Sequence, residues 1–323
     1  MNSFGRIFRI NIFGESHGVA AGIVVDGCPP GIPLKEEDFL PDLLRRKSGA
    51  KGTTPRLESD LPIIQSGVFN GTTTGAPISI IFKNDNTRSS DYSELVDTPR
   101  PGHADFTARQ KYKGFNDYRG GGHFSGRITL GLVAAGVIAK KIIPSVQICA
   151  KLIEVGGSSN IDEALTTAMN KGDSVGGLIE CSVSNIPAGL GEPFFDSVES
   201  VLSHIIFSIP AIKGIEFGSG FDAARMYGSE HNDCFNDIDG KTATNHSGGI
   251  NGGISNGNDL RFKVAVKPTS SISKPQHTLN FKTGNMTDLI IKGRHDSCIA
   301  LRVPVIVEAA TAVVLADFYL INK

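Results

Sequence analysis

The stretch from Arg100 to Thr129, RPGHADFTARQKYKGFNDYRGGGHFSGRIT, gathers the side chains of this chain best able to do chemistry. His103, Asp105, Arg119, His123, Ser125, Arg127 and Thr129 stand around three consecutive glycines, Gly120, Gly121 and Gly122. Glycine removes the side chain where backbone must come close to something. The segment then runs into LGLVAAGVIAKKII, where Leu130, Val133, Ala134, Val137 and Ile138 recur at helical spacing. Ser125 or Gly126 therefore stands at or near a helix N-terminus. A glycine turn that feeds a helix start and carries arginines can hold an anion on backbone N–H groups and guanidinium forks. The same pattern also fits a glycine-rich surface loop before a core helix, and taken alone it leaves both readings open.

Three further sets carry chemistry. Ser16 and His17 sit side by side in GESHG, at the end of an apolar run. Arg45, Arg46, Lys47, Lys51 and Arg56 form a basic run through a Gly/Thr loop, which suits either a solvated helix end or a phosphate. Arg294, His295, Asp296 and Arg302 precede the apolar stretch PVIVEAATAVVLADFYLI. Familiar motifs fail on spacing. Residues 121–127 mimic a P-loop, but Arg127 and Ile128 replace its Lys and Ser/Thr, and neither a GxGxxG fingerprint nor a Gly-x-Ser-x-Gly elbow occurs. What remains is a set of separated glycine-rich loops that, if they converge, suit a large, polar, multiply anionic ligand.

The elements that must position these loops are legible in outline. Residues 7–13, 21–25, 63–69, 78–83 and the runs VQICAKLIEV, GGLIECSV and LRFKVAV read as strands. KEEDFLPDLLRRKSG is a helix that Pro41 must kink or divide, acidic at its start and basic at its end. Asn160 caps IDEALTTAMN, and Asp196 with Glu199 has capping-box spacing ahead of VESVLSHIIF. GIVVDGCPPGIPLKEEDFLPDLL and GLIECSVSNIPAGLGEPFFDSVESVL share one order: strand, Pro/Gly corner, acidic-started helix. Two similar halves packed together would fit that echo.

Composition narrows the class. At 323 residues the chain can bury a large core, and its net charge of −1 disfavours general nucleic-acid or membrane-surface binding. The five cysteines are scattered, without metal-site spacing, and read as reduced thiols of a cytoplasmic protein. Arg6, Arg9 and Glu15 interrupt any signal-peptide pattern near the start. Glu308 and Asp317 mark the apolar C-terminal stretch as a buried helix rather than a membrane span.

Three long stretches, GESHGVAAGIVVDGCPPGIPL at 14–34, GHADFTARQKYKGFNDYRGGG with SGRIT at 102–129, and RHDSCIALRVPVIVEAATAVVLAD at 294–317, give the chain a family resemblance. GLGEPFFD, GFDAARMYGSE, NHSGGINGGISNG and KPTSS lie between them in matching order. The sequence resembles the chorismate synthases over nearly its whole length. That resemblance implies an α+β fold, a four-layer β-α-β-α sandwich with a pseudo-twofold internal repeat, in one large domain spanning residues 1–323. It also implies a homotetramer that holds reduced FMN beneath 5-enolpyruvylshikimate 3-phosphate, expels the phosphate, removes a ring hydrogen from the opposite face and yields chorismate.

By the same resemblance His17 is the acid for the departing phosphate, Ser16 its neighbour in the proton relay, and His103 sets the protonation of the reduced flavin. Asp296 assists proton movement at the flavin's reactive nitrogen. Arg45, Arg127 and Arg294 grip phosphate and carboxylates, while Ser125, Asn251, Gly252, Lys267, Ser271 and Arg294 hold the cofactor. The sequence departs from the usual family pattern with His123 for arginine, Gly126 for alanine, Ile128 for glutamate, Ser271 for threonine, and Ser48-Gly49-Ala50 where Pro-Gly-Gln is usual. The compact chain suggests a monofunctional enzyme supplied with reduced flavin from outside rather than one reducing it with NADPH. The alternatives are a flavin- or phosphate-binding protein that has lost the elimination, and a flavin-dependent oxidoreductase with a net electron acceptor.

Overall fold

Two antiparallel sheets enclose a layer of apolar helices in the computed structural model, which describes residues 2–54, 58–85, 95–291 and 295–323. The first sheet is built from β1 (Ser3–Phe4), β2 (Arg9–Gly14), β3 (Ala20–Asp26), β4 (Ile63–Ser66) and, after the small β5–β6 ribbon (Val68–Phe69, Thr72–Thr73), β7 (Ile78–Lys83). Its order is β1-β2-β3-β7-β4. The second contains β8 (Gln147–Val155), β9 (Gly177–Ser184), β10 (Ile212–Phe217) and, after the β11–β12 hairpin (Ile250–Asn251, Ile254–Ser255), β13 (Leu260–Val266). Read from β8, its order is β8-β9-β13-β10.

The orders correspond strand for strand, β2-β3-β7-β4 against β8-β9-β13-β10. The helices correspond too. α1 (Leu40–Arg46) separates β3 from β4 as α5 (Val198–Ser208) separates β9 from β10. α3 (Thr129–Ile142) follows β7 as α7 (Pro304–Ile321) follows β13. The remaining elements are α2 (Asp105–Lys111), α4 (Ile161–Asn170), α6 (Gly228–His231) and a peripheral hairpin, β14 (Gln276–Asn280) and β15 (Asn285–Leu289).

α3 and α7 are apolar on every side because both are surrounded. They pack so closely that a β-carbon on Gly136 would lie 2.4 Å from that of Ala309. α7 is long and apolar enough to cross a membrane by length and composition, yet 78% of it is buried here. Its two acids are paired, as buried charge requires. Glu308 accepts both guanidinium nitrogens of Arg45 at 2.7 Å and the N–H of Ala150 at 3.0 Å. Asp317 accepts the N–H groups of Arg6, Ile7 and Phe8, each at 2.8 Å, and so pins the chain entering β2.

Two local expectations are corrected. Residues 63–69 form two strands, because β4 bulges after Ile64 and Gly67, with φ +83°, turns the chain into a separate ribbon. The cap of α5 is Ser197, whose hydroxyl accepts from Ser200 N at 3.0 Å, while Asp196 pairs with Arg6. Asn160 caps α4 as its sequence suggests, and Pro304 opens α7.

Candidate active site

The glycine triplet joins two histidines. Gly120, Gly121 and Gly122 have φ of +59°, +82° and +55°, values that other residues adopt only with strain. A β-carbon on Gly120 would meet the His17 ring and the Ser16 hydroxyl, and one on Gly121 would lie 3.4 Å from the His103 ring. Gly122 could carry none, since it would sit 2.0 Å from the Asp117 carbonyl oxygen. The Gly122 carbonyl accepts the N–H of Ser16 at 3.0 Å, so the GESHG turn after β2 docks directly onto this loop. Ser16 and His17 are buried there.

His103 is held from its other side. Its Nδ1 lies 2.6 Å from an oxygen of Asp105, which also receives Nε and a terminal nitrogen of Arg100 at 2.7 and 2.9 Å. An ionised carboxylate only accepts, so Nδ1 carries a proton, and in the neutral ring the lone pair is on Nε2. The Arg100 nitrogen 3.1 Å from Nδ1 is then a packing contact rather than a second hydrogen bond. Burial pushes the Asp105 carboxyl up, but the hydrogen bonds from Arg100 and His103 outweigh it and hold the group well below the usual carboxylate range. Arg100 also donates to the Ser271 hydroxyl at 3.2 Å.

A third wall is cationic. Asp60, buried and with φ +51°, accepts from Arg46 at 2.7 Å and from Arg127 at 2.8 Å. Arg127 also donates to the Lys83 carbonyl at 3.0 Å and to Asn84, so its guanidinium is largely committed to protein. Arg302 donates to the Arg46 carbonyl at 2.9 Å and approaches Asp296 at 3.4 Å, and Asp296 accepts the N–H of Thr54 at 2.9 Å. Burial, with Arg302 and Arg127 nearby, pushes Arg46 down to about 10 against the pull of Asp60. Its Nε is buried and has no hydrogen-bond partner among the described residues. An orphaned buried donor of this kind is what a bound anion would satisfy.

These walls enclose a cavity of about 740 Å³. Among the described residues its charged lining consists of seven basic side chains, Arg46, Lys47, Arg100, Arg127, Lys213, Lys267 and Arg302, against three carboxylates, Glu58, Asp60 and Asp296. An excess of positive charge concentrated in one cavity of a chain with net charge −1 selects a polyanion. Ile10, Ile12, Leu132, Ile299, Val303 and Ile306 add an apolar surface suited to a flat ring.

Of the residues singled out from sequence, Ser16, His103, Ser125, Arg127, Lys267, Ser271 and Asp296 line this cavity, and His17 lies immediately behind Gly120. Arg45 does not line it, because its guanidinium is turned to Glu308. Its neighbour Arg46 occupies the wall instead. Asn251 and Gly252 are exposed on the β11–β12 hairpin and are not part of the lining. Arg294 lies outside the described residues. Asp60 escaped the sequence reading because its partners, Arg46 and Arg127, come from other segments, and Arg100, although it pairs with nearby Asp105, because no local pattern shows that this pair holds His103.

The departures are mild locally. A β-carbon on Gly126 would meet only Ile299, at 3.9 Å, so alanine would fit. Ile128 is buried, and Ser271 offers Arg100 the same hydroxyl a threonine would.

Comparison with known proteins agrees with the geometry. The family pattern described as chorismate synthase matches residues 8–320. The chain is 65% identical to a chorismate synthase of Chitinophaga pinensis, covering 100% of this chain and 98% of that one. It is 47% identical to one from Dehalococcoides mccartyi, over 99% and 96% of the two chains. A solved structure of a chorismate synthase superposes with a TM-score of 0.74 at 25% identity, over 99% of this chain and 93% of the other.

Proposed function

The chain belongs to the chorismate synthase family, and on that premise we propose that its arginine-walled cavity is where 5-enolpyruvylshikimate 3-phosphate loses phosphate. The protein is a lyase of the shikimate pathway, forming chorismate for aromatic amino-acid biosynthesis. The observation that carries the placement is the excess of basic over acidic side chains around one cavity that also holds Ser16, His103 and Asp296.

The phosphate and carboxylates of the substrate meet Arg46, Arg127 and Arg302, with Arg46 in the place expected of Arg45. Arg294, two residues before Asp296 in sequence, is a further candidate for that grip. His17, seated against Gly120, protonates the departing phosphate, with Ser16 beside it in the relay. Histidine suits the task because its ordinary pKa lies near working pH. His103, its Nδ1 proton directed to Asp105, offers a lone pair from Nε2 and sets the protonation of its neighbour in the cavity.

The lining fits reduced FMN as cofactor. The apolar surface suits a ring system, Lys267 and the Ser270 hydroxyl lie 3.2 Å apart for a phosphate, and the unpaired Nε of Arg46 suits an anion. Ser125, Lys267, Ser271 and Arg294 would hold it, with Asp296 governing the proton at its reactive nitrogen. When bound, the reduced flavin supplies electron density to the allylic system as phosphate leaves and returns to its starting redox state. Its reduced form would come from an external reductant.

The finer architecture is part of the same reading. A pseudo-twofold repeat is supported by the matched strand orders and by α3 and α7 meeting at Gly136 and Ala309. The four-layer sandwich would add a further helical layer to the sheet, helices and sheet described. A single domain over residues 1–323 is supported by one continuous core that spans both sheets. Phe194, Phe195, Phe221, Phe235 and Ile238 are each more than three-quarters exposed, which supports a homotetramer that covers them. In that assembly Asn251 and Gly252 would approach a neighbouring protomer's cofactor rather than their own. Cytoplasmic residence is supported by free cysteines, none of which is paired among the described residues.

An anaerobic assay with photoreduced FMN and the enolpyruvyl substrate, following phosphate and chorismate together, tests the reading. Equal amounts of both products should appear, with no reductant consumed beyond the initial reduction. His17→Ala and His103→Ala should lose most turnover while remaining folded. Wild-type rates in either would remove that residue's role.

A further inference from the structure

His123 lines the cavity, yet no part of the reaction outlined above uses it. Its Nδ1 lies 2.7 Å from the carbonyl oxygen of Gly14, the last residue of β2. A backbone carbonyl can only accept, so Nδ1 carries a proton and donates it. One residue earlier in the loop, the Gly122 carbonyl accepts the N–H of Ser16 at 3.0 Å. Two hydrogen bonds of opposite direction thus tie adjacent loop residues to Gly14 and Ser16, on either side of Glu15. The far nitrogen of the ring lies 3.2 Å from the Asn2 side chain, whose amide can present either a donor or an acceptor to it. The backbone carbonyl of Asn2 accepts Ile12 N–H at 2.9 Å, so the backbone that carries this amide is fixed to β2.

We propose that His123 is a positioning residue: its Nδ1–H···O=C bond to Gly14, acting with the Ser16–Gly122 bond, seats the Ser16–His17 turn against the glycine loop. The inference rests on the reading that His17 protonates the departing phosphate. Where the family pattern has arginine, an imidazole keeps a donor for Gly14 while shedding the permanent charge. A side chain that orients a reacting group without touching substrate affects turnover more than substrate affinity.

The test uses the anaerobic assay on His123→Leu, His123→Asn and His123→Gln, with thermal unfolding as a check on folding. Leucine removes the donor, asparagine replaces it near the Nδ1 position, and glutamine places it near Nε2. The Leu variant should lose about tenfold or more in kcat with KM nearly unchanged, and the Asn variant should recover most of that loss. Glutamine should not. Added to His17→Ala, His123→Leu should cost nothing more, because it acts through His17. Hydrogen exchange at the Ser16 amide should quicken in the Leu variant and slow again with asparagine. Wild-type kcat in the Leu variant, a KM effect without a kcat effect, or equal rescue by glutamine would overturn the proposal. If the Leu variant does not fold, asparagine against glutamine decides it. Full activity in His17→Ala would instead defeat the role given to His17, and Ser16 amide exchange would still report on the clamp.

Discussion

Gly120 and His17, far apart in sequence, lie so close that a β-carbon on Gly120 would stand 2.5 Å from Cδ2 of the ring and 2.7 Å from Nε2. A β-carbon on the next glycine would touch the His103 ring at 3.4 Å, an ordinary contact, so that histidine too lies against this loop. Consecutive Cα atoms are only about 3.8 Å apart, so one short piece of backbone sets the spacing of both histidines. The loop is therefore a jig for two proton-handling groups, and its lack of side chains is a requirement of their placement.

Gly120→Ala should consequently lose about a hundredfold in turnover by displacing His17, while the strain of φ +59° costs only about 1–2 kcal/mol of stability. Gly126→Ala, which restores the usual family residue, should leave both nearly unchanged, because its β-carbon meets only Ile299. Kinetics and thermal unfolding of the pair check the contrast; equal turnover in the two variants would contradict it.

Adjacent arginines should separate by phenotype. Arg45→Ala leaves Glu308 buried with its bidentate partner gone and should cost about 2–3 kcal/mol of stability with little change in KM. Burial raises the cost of charging Arg45 less than the Glu308 hydrogen bond repays it, and its guanidinium is held above the ordinary arginine range. Arg46→Ala opens the cavity wall and takes one of its two arginine partners from buried Asp60, so it should lower stability as well but, unlike Arg45→Ala, also raise KM for the phosphate substrate about tenfold or more. Unfolding midpoints and KM values measured together distinguish the two; a KM effect confined to Arg45→Ala would reverse the assignment.

That assignment marks where the sequence stopped being legible. The strand, Pro/Gly corner and helix echo was visible because corners and periodicity are local, and its two segments contain β3 with α1 and β9 with α5. Glu308 and Asp317 signalled that α7 is a buried helix, since isolated acids in an apolar run need partners. Which of Arg45 and Arg46 faces inward is different: neighbours on a helix point about 100° apart, and only Glu308 and Asp60, far along the chain, decide between them. Likewise no local pattern reveals that Gly120 abuts His17, or that Asn251 and Gly252 stand outside this protomer's cavity.

The Asp105 carboxyl gives a pH signature. Burial raises its pKa, and the larger combined effect of Arg100 and His103 depresses it below the ordinary 3.8. A depressed carboxylate contributes stability that is fully present above its unfolded pKa and is lost as pH falls through the folded value. The native protein should therefore lose part of its stability below about pH 4, whereas Asp105→Asn should lack that component. The variant should also turn over more slowly at neutral pH, because an amide can present its NH2 to Nδ1 and favour the wrong tautomer of His103. Unfolding midpoints from pH 3 to 6 check the first expectation, and a parallel acid dependence in both proteins would contradict it.

Asp60 offers the sharpest probe of the cationic wall. Its carboxyl is held below the usual range because Arg46 and Arg127 together outweigh the burial that pushes it up. In Asp60→Asn those guanidinium groups, both under 10% exposed, keep their charge and lose their counter-ion. Removing one partner from a buried ion pair costs about 3–5 kcal/mol, which should appear as a marked fall in the unfolding midpoint. Asp60, Arg46 and Arg127 all line the cavity, so an inorganic anion entering it meets two guanidinium groups that have lost their counter-ion. Binding to the folded state alone raises stability with ligand concentration. Added phosphate should therefore raise the midpoint of Asp60→Asn more than that of the native protein, and sodium chloride at equal ionic strength should raise it less. If phosphate and chloride act alike, the arginines of this wall do not form an anion site, and the substrate's phosphate must be held elsewhere in the cavity.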